Sequence, residues 1–139
     1  MEIIFIAKPG IQLFNTLQAS ETSRHILRFY RPKDAGWGIR IPVSTVSNAL
    51  ALMSELRWYI MRYTSEVLIE DTAYSVYLTR LLASAAYEDR SVSLAGDWKY
   101  RYRAAVTEDG SLIRCPAGVD TPAGTQVSFL VWCLEVEEP

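Results

Sequence analysis

The spacing of apolar residues divides the chain into strand-like, helical and again strand-like stretches. Glu2–Ala7 is a short apolar strand stopped by Pro9-Gly10. Ile11–Leu17 reads as a second, weaker strand, and Arg24–Arg31 alternates imperfectly as a third. Pro32-Lys33-Asp34-Ala35-Gly36 is loop composition, and Trp37–Ile41 then places Trp37, Ile39 and Ile41 on one face. Together these two alternating runs predict a hairpin.

Pro42 and Ser44 then introduce a helix, with Ser44 as its N-cap. Val46, Ala49, Leu50, Met53, Leu56, Ile60, Tyr63 and Val67 recur at helical spacing, which predicts a helix from Thr45 to about Glu66. Leu68 and Ile69 interrupt it. Asp71 caps a second helix over residues 72–87, with Tyr74, Tyr77, Leu78, Leu81 and Ala85 as its stripe. Two helices packed on one sheet face follow, with one long kinked helix as the alternative.

The clearest strand begins at Trp98-Lys99-Tyr100-Arg101-Tyr102-Arg103. Side chains alternate across a strand, so Trp98, Tyr100 and Tyr102 share an apolar face and Lys99, Arg101 and Arg103 a basic one. Asp109-Gly110 is a hairpin turn signal. A two-residue loop there sets Val106 against Ile113 and Ala104 against Cys115. It puts Ile113 and Cys115 on the aromatic face and Arg114 on the basic face. Gln126–Val136, nearly all apolar through Val131, reads as a central strand reached through the Pro116–Thr125 loop.

At 139 residues, half of them hydrophobic and 12% aromatic, the chain fits one domain, residues 1–139. The fold expected is α+β: a mainly antiparallel sheet of five to six strands with two consecutive central helices on one face. No apolar run approaches the roughly 18 residues of a membrane span. The Met-Glu start lacks a basic signal-peptide region, so a cytoplasmic location is expected. Cys115, Cys133 and the single histidine, His25, do not make a zinc set, and no cofactor or metal is expected. If the last two strands form a simple hairpin, Cys133 lies about 23 Å from Cys115 at ~3.3 Å per residue, too far for a disulfide.

The net charge of −2 argues against a globally basic nucleic-acid binder and leaves room for a local basic face. If Arg31 pairs with Trp37, Arg28 lies opposite Arg40 and Arg24 shares their face. Arg24, Arg28, Arg40, Lys99, Arg101, Arg103 and Arg114 then form one basic sheet face. No nucleophile elbow, P-loop, dinucleotide glycine pattern or Ser/His/Asp signature is present, so catalysis is not the first expectation. Arg57, Tyr59, Arg62 and Tyr63 on the first helix suit a pocket lining or ordinary helix packing. A basic face ringing apolar strand residues has the anatomy of a protein interface. The function expected is a non-catalytic adaptor, inhibitor or assembly subunit that binds an acidic protein or a second copy of itself. Its size and aromatic richness suit a regulatory protein of a virus or mobile element. A nucleic acid or another anion on the same face is the alternative, the nucleic acid weakened because the strand's aromatics point away from its arginines, and a small enzyme is the third reading.

Overall fold

The computed structural model describes all of residues Met1–Pro139. Strand β1 (Glu2–Ala7) leads to two short helices, α1 (Leu13–Ala19) and α2 (Glu21–Ile26). Strands β2 (Lys33–Asp34) and β3 (Gly38–Pro42) follow, then helices α3 (Val46–Glu55) and α4 (Arg57–Tyr63). Next come β4 (Thr64–Asp71), β5 (Val76–Thr79) and α5 (Arg80–Tyr87). After a long connection, β6 (Arg101–Thr107), β7 (Leu112–Pro116) and β8 (Thr125–Trp132) complete the chain. All eight strands form one sheet in the order β2-β3-β1-β4-β5-β8-β6-β7. Every neighbour is antiparallel except the β5–β8 pair. The fold is therefore α+β, with eight strands rather than five or six and five helices rather than two. No helix is long and apolar enough to cross a membrane.

Three expected elements change identity. Ile11–Leu17 lies in the α1 region and Arg24–Arg31 overlaps α2, so neither is a strand. Leu13 and Leu17, then Ser23 and Leu27, are the buried positions, an i, i+4 spacing that marks one helix face. The hairpin drawn from Arg24–Arg31 is absent, and β3 pairs with β1 and the two-residue β2 instead. The long helix expected to reach Glu66 breaks at Leu56 and ends at Tyr63, where Thr64 turns extended and its Oγ1 donates to the Ile60 carbonyl at 2.7 Å. Thr45, not Ser44, caps α3, accepting from the Asn48 backbone N–H at 3.0 Å. The first half of the second helix is β5; α5 begins only where the Thr79 hydroxyl accepts from Leu82 N–H at 3.2 Å.

The sheet is rolled. Arg114 on β7 forms an ion pair with Glu66 on β4, although three strands separate β7 from β4. In a flat sheet that step would span about 19 Å at ~4.8 Å per strand. The ring of Trp37, next to β3, lies 5.3 Å from that of Phe129 on β8, edge to face. The β8-β6-β7 half thus folds over the β3-β1-β4 half. This gives two cores. Outside the roll, α1–α5 cover Ile3, Phe5, Ile39, Ile41, Val67, Ile69 and Leu78. Inside it, Ile4, Ile6 and Leu68 meet Tyr102, Ala104, Val106, Phe129 and Val131. Strand β1 faces both cores, which is why five successive residues, Ile3–Ala7, are buried.

An Arg–Glu–Tyr cluster stands at each of two places on the rim. Glu2 Oε1 accepts from Arg40 Nη1 and, at 3.1 Å, from the Tyr77 hydroxyl. Glu66 Oε2 accepts from the Arg114 guanidinium and, at 3.3 Å, from the Tyr102 hydroxyl. Burial first, and Glu2 second, push the Tyr77 phenol up to about 12; burial and then Asp71 do the same to Tyr87. A raised phenol favours the folded state below pH 10, where both states hold the proton. That contribution is lost as pH rises from about 10 to about 12 and the unfolded chain ionises first. Thermal melts between pH 8 and 12 are expected to show a loss of stability that begins near pH 10. In a Tyr77→Phe, Tyr87→Phe double variant the fall should be shallower; an unchanged profile would exclude these two phenols as its cause.

Candidate functional site

The hairpin register decides what the predicted basic face becomes. Thr107 N–H donates to Ser111 O and Gly110 N–H to Thr107 O, both at 2.9 Å, so the loop holds three residues, Glu108–Gly110. Gly110 supplies the positive φ of 89° that such a loop requires. Val106 then pairs with Leu112, Ala104 with Arg114 and Arg103 with Cys115. This is one residue away from the two-residue expectation, and a one-residue slip sends every side chain of a strand to the other face. Ile113 and Cys115 therefore join Arg103 and Ala105 outside the roll. Arg114 joins Tyr102 on the inner rim. The aromatic row also breaks: Tyr100 and Tyr102 belong to the inner core, whereas Trp98 lies before β6 and packs with the helical core.

The seven predicted residues do not form one surface. Arg24 is exposed on α2, with Nη1 donating to Gln18 O at 3.3 Å. Arg28, just past α2, donates to His25 O at 2.6 Å, and its guanidinium sits 4.6 Å from the Phe29 ring. Arg40 is on the inner face of β3, paired with Glu2 and stacked 5.4 Å from Trp37. Arg114 is paired with Glu66. Lys99 precedes β6 and lies 5.1 Å from the Tyr100 ring. Only Arg101 and Arg103 keep the predicted arrangement, side by side on the outer face of β6.

That outer face lies beyond the main contacts of the helices. The helices make their main contacts with β2–β5. On the β8-β6-β7 half, Arg103 stands between Leu130 and Cys115, and Ala105 stands between Ser128 and Ile113. Arg103 Nη1 donates only to Ser128 Oγ, at 3.4 Å. Arg101 donates to the Trp98 carbonyl and lies 5.7 Å from the Trp132 ring. Neither has a carboxylate partner among the three ion pairs of the structure. Ile113 is 37% exposed, and Leu130, on the other side of β6 next to Arg103, is half-buried. The result is a small apolar strip edged by two unpaired guanidinium groups.

Catalytic candidates are poorly placed. The Cys133 thiol is buried in the roll and pushed up to about 12, by burial and then by Glu137 and Glu138, so it is protonated at neutral pH. Cys115 is also buried and free, on the opposite face of the sheet from Cys133. His25 is exposed on α2. A cleft of about 650 Å³ opens beside the Glu66–Arg114 pair, lined by Pro9, Ser65, Ser111, Leu112 and Pro139. Its single cation, Arg114, is already neutralised by Glu66.

A second exposed surface lies on α4 and just past α2. Trp58 on α4 is 59% exposed and Phe29 is 82% exposed. Arg62 lies 5.1 Å from the Trp58 ring, at the i, i+4 spacing that puts both on one helix face. That spacing was visible from the sequence; the exposure of the ring was not.

Residues 1–103 match the model of a family described as "Family of unknown function (DUF5804)". No curated protein and no solved structure matches the chain. The match covers well over half of the 139 residues, and the chain belongs to that family.

Proposed function

We propose that this member of the DUF5804 family is a protein-binding module that docks an acidic protein surface on the outer face of β6–β8. The observation that carries the reading is the placing of Arg101 and Arg103 among the partly exposed apolar side chains Leu130 and Ile113, on a sheet half with little helical cover. An apolar centre with a charged rim is the anatomy of a protein interface, and arginine is among its commonest anchors. Guanidinium groups without carboxylate partners supply the charge that an acidic surface complements. The strip holds no exposed aromatic ring, which a single-stranded nucleic acid would need for stacking. An adaptor, inhibitor or assembly subunit is the class of protein this describes.

The test compares the whole chain with an Arg101→Glu, Arg103→Glu variant. Proteins captured from the source cell are identified, purified and titrated against both forms. Binding of an acidic protein, weakened about tenfold or more by the charge reversals and weakened by salt, is the expected result. Equal binding by the two forms would remove this face from the interaction. Captured material that disappears on nuclease treatment, or a change only in the mass of the protein's own oligomer, would replace the acidic partner. Circular dichroism of the variant guards against misfolding.

A further inference from the structure

A different part of the molecule carries a different charge. Residues 8–62 hold eight Lys or Arg against three Asp or Glu, whereas residues 63–139 hold six against twelve. The overall charge of −2 therefore hides a cationic N-terminal portion on an acidic remainder. Within it, Arg24, Arg28, Arg57 and Arg62 are exposed and take part in none of the three ion pairs.

The aromatic rings lie among these arginines. Phe29 stacks with the guanidinium of Arg28 at 4.6 Å, and Trp58 with that of Arg62 at 5.1 Å. Trp58 is also held in place from the protein side. Its ring meets Tyr59 at 5.0 Å and Tyr63 at 6.0 Å, both edge to face. Tyr59 is itself anchored, its hydroxyl 2.6 Å from Ser20 Oγ, which ties α4 to the junction of α1 and α2. The indole is thus fixed in orientation yet 59% exposed. Arg24 reaches back to Gln18 beside the same junction, so the start of α2 and the Trp58–Tyr59 end of α4 meet there.

From this we infer that the α2–α4 surface binds single-stranded nucleic acid, with Trp58 and Phe29 as base platforms and the arginines on the phosphates. Every base has a π-face, so a fixed exposed ring beside phosphate-binding cations needs no sequence readout. Each ring has an arginine as an exposed neighbour, and Met61, three residues from Trp58 and 67% exposed, adds apolar area beside the indole. This surface is separate from the β6–β8 face, so the two proposals stand or fall independently.

Fluorescence anisotropy of the full chain with labelled oligo-dT and oligo-rU of about 20 nucleotides tests it. Binding is expected, falling about tenfold or more between about 50 and about 200 mM salt. Trp58→Ala should weaken it at least about fivefold, and Trp58→Phe should restore most of the loss. Arg28→Glu with Arg62→Glu should weaken it about tenfold or more, while Arg101→Glu with Arg103→Glu leaves it unchanged. Absence of binding at low salt overturns the inference. So does binding that ignores Trp58, or that is equally strong for duplex DNA, since either would be charge attraction alone. Binding of poly-glutamate but of neither oligonucleotide would assign the surface to an acidic protein. Arg28, Trp58 and Arg62 are exposed, Arg101 and Arg103 are half-buried, and a melt of each variant verifies that it is folded.

Discussion

Gly38→Ala is expected to cost about 3 kcal/mol or more, enough to leave much of the protein unfolded or insoluble. Gly38 sits on β3 directly opposite Ile6 of β1. A Cβ at that position would lie 1.9 Å from the carbonyl oxygen of Phe5 and 3.0 Å from its carbonyl carbon. These are backbone atoms of the strand that both cores share, so no side chain can swing aside. Relief requires β3 to leave β1, and with it Ile39 and Ile41, which are fully buried. Urea denaturation, with the midpoint and slope compared to wild type, reads the loss. A variant within about 1 kcal/mol of wild type would mean that β1 and β3 are not this close.

The second large effect is expected at Tyr102. Its side chain is 1% exposed, the largest fully buried one in the protein, and it fills the roll between Ile4, Leu68 and Val131. Truncation to alanine removes an aromatic ring from a space bounded by backbone on both sides. Tyr102→Ala should therefore cost about 3–5 kcal/mol. Tyr102→Phe keeps the ring and loses only the 3.3 Å hydrogen bond to Glu66, and should cost about 1 kcal/mol. The ratio of the two is the informative quantity. If both cost the same, the hydroxyl rather than the packing holds the roll together. If neither matters, the β8-β6-β7 half does not fold over the rest.

The sequence was most legible where period and chemistry agreed. β1, β3, the start of α3, the β6–β7 hairpin and β8 stand close to where the apolar pattern puts them. Their residues are either β-branched runs or correctly spaced helix stripes. It misled where two periods coincide. Tyr63 and Val67 continue the spacing of α4, so β4 looked helical, although Thr64-Ser65-Glu66-Val67-Leu68-Ile69 is rich in strand formers. Leu13 and Leu17 lie one turn apart in a short helix and would also share one face of a strand. In such short elements tertiary packing decides, not propensity. The hairpin turn was read correctly as a turn and wrongly by one residue, because Gly110 tolerates positive φ in two-residue and three-residue loops alike. That single residue moved Arg114 from the outer face to Glu66. The distribution of the candidate site depended on the identity of α2 and on the curl of the sheet. Neither is encoded in local spacing: the curl shows only in pairs such as Glu66–Arg114, 48 residues apart.

The lone parallel pairing sets an order of events. Tyr77 on β5 meets Val131 on β8, and β6 can join the sheet only through β8. During synthesis the edge of β5 stays open while more than a third of the chain is still to come. Tyr77 and Leu78 therefore wait with that edge unpaired until residues 125–132 leave the ribosome. A strand edge left open for so long is a site for pairing with other nascent chains. Slow translation or a missense change in β8 should then appear first as aggregation during expression, even where the finished protein is stable.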